Sequence, residues 1–125
     1  MVKAVISTII GIAIIIGASI YEQCYLTNTF NEFNGVVKMA YKKTENQTAT
    51  KTDVLAVQNL WIDKKQTLHI FIPHNDIKEF DLWISEAVSL VEKKMWEDAL
   101  SKLEVVIEMT EQIPKTYSLR IENVL

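Results

Sequence analysis

The chain has 125 residues, 49% of them hydrophobic, and its 13 basic and 16 acidic residues give a formal net charge of −3 at pH 7. This length allows one small domain, and a mixed, mildly acidic surface disfavours nucleic acid as a partner. Three glycines and two prolines argue against a turn-rich β fold, and the single cysteine excludes an intrachain disulfide.

An uninterrupted apolar segment opens the chain. Residues 4–20 carry no charged side chain, and their few polar groups are hydroxyls that can bond back to a helix backbone. Met1, Val2 and Tyr21 extend the segment to about the 30 Å of a bilayer core. We therefore predict a transmembrane anchor over residues 1–25.

Two other interpretations of this segment were weighed. A cleaved export signal needs small residues at the cut site, which Gly17 and Ser19 supply, although the apolar run exceeds the ~7–15 residues typical of a signal core. A lipoprotein signal needs small residues before Cys24, where Glu22 and Gln23 stand instead. The lipoprotein is rejected, and the cleaved signal stays as the alternative.

Orientation follows from the basic residues that flank the anchor. Lys3 is the only charged side chain before the apolar run of residues 4–20, and the first basic residue after that run is Lys38. The positive-inside rule then places the N-terminus in the cytoplasm and residues 26–125 outside. The predicted location is the cell membrane, with a single pass.

The rest of the chain is typical of amphipathic helices. The first helix continues from the anchor, the second begins at Thr52 or Asp53, the third begins at His74 or Asn75, and the fourth ends before Pro114. Their apolar positions recur at three- to four-residue spacing: Leu26, Phe30, Phe33, Val37, Ala40 and Tyr41; Val54, Val57, Leu60, Trp61, Leu68 and Phe71; Ile77, Phe80, Ile84, Ala87, Val88, Val91 and Met95; Trp96, Ala99, Leu100, Leu103, Val106, Ile107, Thr110 and Ile113.

Three segments between or beyond these helices were assigned separately. Residues 42–51 are polar and predict a flexible connection. Residues 67–73 could pass for a strand, but no second strand exists to pair with it, so we predict helix at least to His69. At the C-terminus, Ser118 can start a last turn that packs Leu119, Val124 and Leu125 onto the core.

Helices with one apolar stripe and short connections bury their stripes against antiparallel neighbours. We therefore predict an all-α protein, in which an N-terminal transmembrane helix is followed by an antiparallel bundle of three to four helices over residues 26–125. The last two helices partly match a tetratricopeptide hairpin, through the spacing of Trp83, Ala87, Ala99 and Leu103. Ala87 and Ala99 then mark a close helix contact.

The chain resembles an uncharacterised family of short, membrane-anchored proteins of Gram-positive bacteria, known only as a domain of unknown function. The resemblance covers nearly the whole chain, and it implies an anchored helical domain with no assigned activity or site residue. It is carried by the apolar anchor and its boundary IYEQCYL, Trp61, Leu68, Phe71, Ile72, His74, Ile77, Ala87, Val91, Ala99, Leu103, Ile113, Pro114 and the ending SLRIENVL.

No constellation of residues predicts catalysis. His69 and His74, with Asp76 nearby, lack the three- to four-residue spacing of a metal pair on a helix, and Pro73 interrupts them. The serines have no nucleophile elbow around them, and the acidic pairs are typical of solvated helix faces. We predict that the protein is not an enzyme and has no catalytic, cofactor-binding or metal-binding residue.

The functional hypothesis is therefore contact with another protein. Trp83 lies beside the stripe of the third helix, either as a flanking core residue or as an exposed anchor, and Trp61 and Trp96 are further candidate interaction residues. The sequence predicts a membrane-anchored interaction module or accessory subunit of a membrane or envelope protein. The alternative is a sensor-like bundle that binds a small ligand in a pocket.

Overall fold

The computed structural model describes the backbone of residues 1–124 and the side chains of residues 1–116. The described residues form four α-helices and no strand: α1 (Val2–Glu45), α2 (Lys51–Leu68), α3 (His74–Glu92) and α4 (Trp96–Val124). The predicted all-α class is confirmed. The segment that could pass for a strand instead supplies the end of α2 and the turn after it.

Helix α1 joins the apolar segment to the bundle without a break. Its 44 residues form a rod about 66 Å long at the rise of an α-helix. We call residues 2–21 its apolar half and residues 26–44 its packed half. The large side chains of the apolar half are exposed, whereas the packed half buries one face beginning at Leu26.

The four helices close into a ring, in which each helix packs against the next one and α4 packs against α1. Short connections make neighbours in the ring antiparallel. Four aromatic rings meet at the centre with centroids 4.7–5.9 Å apart. The fully buried large side chains are Leu26, Phe30, Val37, Val54, Val57, Trp61, Leu68, Ile77, Phe80, Ile84, Leu103 and Val106.

The connection between α1 and α2 is shorter than predicted. Helix α1 continues to Glu45, so only residues 46–50 connect the two helices, and not the whole of 42–51. The polar composition of this region predicts a loop, but residues 42–45 form the last turn of α1 instead. Thr44 is buried, and its hydroxyl donates a 2.7 Å hydrogen bond to the Ala40 carbonyl.

Helix α2 begins at a different cap from the two predicted. Thr50 is the N-cap, and the Asp53 backbone N–H donates to its hydroxyl oxygen, while the Asp53 carboxylate accepts a 2.8 Å bond from the Thr50 N–H. This reciprocal capping box satisfies two backbone donors. At the other end, α2 stops at Leu68 and His69 is its C-cap, one residue earlier than predicted.

Helix α3 begins at His74, as one of the two predicted starts, but Met95 is not an inward residue. The helix ends at Glu92, and Lys94 takes a left-handed backbone conformation with φ 58°. The Met95 N–H then donates to the Leu90 carbonyl at 2.9 Å, which completes a Schellman turn. The turn carries Met95 away from the stripe of α3, and its side chain is 44% exposed.

The predicted end of the fourth helix before Pro114 is wrong, because α4 continues through it. Proline has no N–H to donate to the Thr110 carbonyl, which costs about 3 kcal/mol in a helix interior. Thr110 and Ile113 are buried at the bundle surface of α4, and that packing outweighs the local preference. The predicted packing of Leu119, Val124 and Leu125 after Ser118 lies outside the described side chains.

Candidate interaction surfaces

The apolar half of α1 is the largest apolar surface described. Ile9, Ile14 and Ile20 are each at least 58% exposed, and the most apolar stretch has a mean hydropathy of 2.3 with none of it buried against the bundle. By length and composition this is one helix able to cross a membrane or to act as a signal sequence. Two of its hydroxyls, on Thr8 and Ser19, donate 2.9 Å hydrogen bonds to carbonyls one turn earlier.

A turn of the bundle lies beside the point where the apolar half ends. Residues 69–73, which connect α2 to α3 and which we call the proximal turn, place the Phe71 ring 5.7 Å from that of Tyr25. Tyr25 in turn stacks on Tyr21 with centroids 6.4 Å apart. Ile72 of this turn is buried, whereas Ile70 is 75% exposed.

The two histidines meet at the proximal turn. The rings of His69 and His74 stack with centroids 5.6 Å apart, and both residues are exposed. Pro73 interrupts the two histidines in the sequence, but the turn brings their rings together. Within the described residues, no group of three or more His, Cys, Asp or Glu side chains is placed to hold a metal ion.

A polar groove of about 680 Å³ runs between α1 and α4. Asn34 donates a 2.7 Å hydrogen bond across its floor to the hydroxyl of Thr110, which donates in turn to the Ile107 carbonyl. Lys38 and Glu111 form an ion pair of 3.6 Å between the same two helices. The groove is lined by Gln23, Thr27, Asn31, Asn34, Lys38, Thr110, Glu111, Pro114 and Lys115.

The sequence carries a signal for this groove that the apolar periodicity alone does not reveal. Five polar side chains follow one another along α1 at spacings of four, four, three and four residues. That period marks one helix face as clearly as an apolar stripe does. This face has no apolar residues, and its members are Gln23, Thr27, Asn31, Asn34 and Lys38.

Trp61 lies in the core and offers no surface to a partner. Its side chain is 2% exposed and stacks on Phe80. The indole N–H donates a 2.6 Å hydrogen bond to the Asp81 carboxylate, which also pairs with Lys65 at 3.3 Å. A buried indole with its one donor satisfied is a structural residue, so Trp61 is removed from the interaction candidates.

The other two tryptophans are half-buried. Trp83 packs against the core, and the Lys102 ammonium lies 4.4 Å from its ring centroid. Lys102 also pairs with Glu86 at 3.2 Å, so the three side chains join α3 to α4. Trp96, the first residue of α4, also packs against the core with part of its surface exposed. Ala87 and Ala99 are both buried between these helices.

Two ion pairs join the helices at the far end of the bundle, which is the end opposite the proximal turn. The Lys43 ammonium lies 2.8 Å from the Asp53 carboxylate and joins the end of α1 to the start of α2. This hydrogen bond first, and then the Thr50 backbone N–H, hold the pKa of Asp53 below its ordinary value of 3.8. Lys51 and Glu92 pair at 3.1 Å and join α2 to α3 at the same end.

Comparison with known proteins places the chain in a family. A family model described as a domain of unknown function, DUF4363, matches residues 19–124, which comprise the bundle and only the last three residues of the apolar half. No curated protein and no solved structure matches the chain significantly. The family match covers most of the chain, and the resemblance to a domain of unknown function is confirmed to that extent. The chain belongs to the DUF4363 family of helical domains.

Proposed function

We propose that the protein is a single-pass membrane protein whose bundle works as a non-catalytic interaction module, as an accessory subunit of another membrane or envelope protein. The exposure of the whole apolar half carries this proposal. Burying exposed apolar side chains is favourable by about 25 cal/mol per Å². Since the bundle covers none of this surface, a lipid bilayer is the environment that would.

The dimensions of α1 support a membrane span. The 20 residues of the apolar half extend about 30 Å, which equals the thickness of a bilayer core. Tyr21 and Tyr25 follow it at the level where interfacial aromatic residues are enriched. The hydroxyls of Thr8 and Ser19 bond to their own helix, as polar groups in hydrocarbon must.

The proposed orientation rests on charge. Lys3 lies at the start of the apolar half, and the next basic residue along the chain is Lys38, on the bundle. The positive-inside rule then keeps the N-terminus in the cytoplasm and the bundle outside. The competing cleaved signal would leave the bundle without its apolar half.

The polar groove is the proposed contact surface for the partner. Its residues on α1 are three amides, one threonine hydroxyl and one lysine, which can donate and accept hydrogen bonds along a helix that is fixed to the membrane. The same groove favours the second candidate function, a sensor that binds a small polar ligand, because its volume lies in the range of small-molecule sites.

Membrane fractionation tests the anchor. We expect the full-length chain to resist carbonate extraction, to keep Met1 or Val2 as its first residue, and to expose its bundle to protease added outside the cell. A mature chain that begins near Ile20 would contradict the anchor and support the cleaved signal. Protection of the bundle in intact cells would contradict the orientation.

A pair of asparagine variants tests the groove. Asn31 lines the groove on α1, and Asn59 is an equally exposed asparagine on α2 outside it. We expect Asn31→Trp to fill the groove and abolish the stoichiometric partner captured with the parent from mild detergent, while Asn59→Trp retains it. Equal capture by both variants would contradict the groove as the contact. A saturable ligand in place of a protein would favour the sensor.

A further inference from the structure

The proximal turn and the α1 segment beside it carry no charged residue. The ten residues from Gln66 to Asn75, which include the proximal turn, contain no Asp, Glu, Lys or Arg, and neither does the α1 segment from Gln23 to Asn31 beside them. At the opposite end, residues 42–53 alone contain five. Glu22 and Asp76 lie just outside these two stretches, so the uncharged surface is limited to the proximal turn and the α1 residues beside it.

The proximal turn and the adjoining end of the apolar half also expose apolar side chains. Ile70 is 75% exposed, Tyr21 is 68% exposed and Ile20 is 58% exposed. Turns are normally built from polar residues and glycine, yet residues 69–73 read His-Ile-Phe-Ile-Pro. The buried Ile72 accounts for one of these residues, and the core does not account for Ile70.

The contact between Phe71 and Tyr25 fixes the position of the proximal turn along the axis of α1. Tyr25 lies four residues beyond Tyr21, or about 6 Å along the helix axis. The headgroup region of each leaflet is about 5–7 Å thick. If the apolar half fills the hydrocarbon core, the turn reaches the headgroups.

We propose that the proximal turn is a second membrane contact, in which Ile70 enters the headgroup and upper acyl region of the bilayer that holds α1. This inference rests on the proposed membrane anchor. A bundle that contacts the bilayer through both α1 and this turn has a fixed tilt and a fixed rotation relative to the membrane plane. The absence of charge from Gln66 to Asn75 suits a surface that loses water at a lipid interface.

Depth-dependent quenching tests the contact with the full chain. In a Cys24→Ser background, Ile70→Cys is labelled with an environment-sensitive fluorophore, and Lys93→Cys at the opposite end is the matched control. Both positions are exposed, so neither change disturbs the core. The chains are reconstituted in phosphatidylcholine vesicles that contain lipid spin-labelled near the headgroup.

We expect a blue-shifted emission and loss of most of the fluorescence at position 70, with no change at position 93. Equal, unquenched emission at both positions in vesicles that carry the chain would overturn the contact and leave the anchor standing; the turn would then be free for a protein partner. A chain that fails to float with the vesicles would overturn both. Circular dichroism and the tryptophan emission of each labelled chain check that the bundle is intact.

Discussion

The two halves of α1 are one helix built for two surroundings. In the apolar half every side of the rod is hydrophobic, and exposed isoleucines point in all directions. In the packed half most of the large apolar residues lie on the face of Leu26, Phe30, Phe33 and Val37, which is buried, while the remaining faces are mainly polar, with Met39 as an exposed exception. The comparison shows that the distribution of apolar residues around the axis, rather than their number, separates a lipid-facing helix from a bundle-facing one.

The largest expected difference between the halves comes from a charge in the packed half. Val37 is completely buried, and Val37→Asp would leave an unpaired charge there at a cost of about 3–5 kcal/mol, a large part of the stability of a small domain. We expect the cooperative thermal transition followed by circular dichroism to be lost. Met39→Asp, at a position 65% exposed, is the control and should unfold like the parent.

An aspartate in the apolar half should instead impair membrane insertion and leave the unfolding of the bundle unchanged. Ile12→Asp costs about 2.5–3.5 kcal/mol at the centre of a membrane helix, or roughly a 100-fold loss of insertion. We expect the unfolding transition of the bundle to be unchanged, because Ile12 contacts none of it. Carbonate extraction measures the insertion, and Ile12→Val is the control. An aspartate variant that inserts like the parent would refute the span.

A smaller effect is expected where the packed half is fastened at its far end. Asp53→Asn removes the carboxylate that pairs with Lys43 and completes the capping box, at a cost of about 1 kcal/mol at pH 7. Because folding lowers the pKa of Asp53 below 3.8, its contribution is complete above that value and is lost as the pH falls through the folded-state pKa. Thermal melts should therefore show the two chains converging at acidic pH. A constant difference down to the lowest pH would contradict this role.

The smallest expected effect concerns two helical glycines, one in each half of α1. A Cβ on Gly35 in the packed half or on Gly17 in the apolar half would meet no atom within 4 Å. Gly35→Ala should stabilise the bundle by about 0.5–1 kcal/mol by lowering the entropy of the unfolded chain. Gly17→Ala should leave the unfolding of the bundle unchanged. Denaturant melts measure both, and equal stabilisation would mean that the two halves unfold as one unit.

The helices could be predicted because their stripes are long and regular. Of the positions assigned to the core of α3, all except Met95 are buried. Six apolar residues at helical spacing predict the buried face more reliably than any single residue does. The helix ends were less predictable. Pro114 and the polar residues 42–45 carry strong local signals for ending a helix, and packing across the bundle overrides both.

The candidate surfaces depended on which helices became neighbours, and no local pattern contains that information. The polar stripe of α1 becomes one wall of a groove only because α4 packs beside it. Likewise, His69 and His74 stack because the proximal turn reverses the chain within five residues. Trp61 on the stripe of α2 is buried, whereas Trp83 beside the stripe of α3 is half-buried, with Lys102 of α4 against its ring.

The pairing of α1 with α4 has a consequence for biosynthesis. Phe33 belongs to the first helix of the bundle, and Leu103 of the last helix is made 70 residues later. At about 5–20 residues per second, the apolar face of α1 waits roughly 4–14 s for the helix that closes the ring. A nascent chain of this protein therefore leaves the side of α1 that packs against α4 uncovered for seconds, which makes it a target for chaperones and makes any premature stop within α4 a source of aggregation.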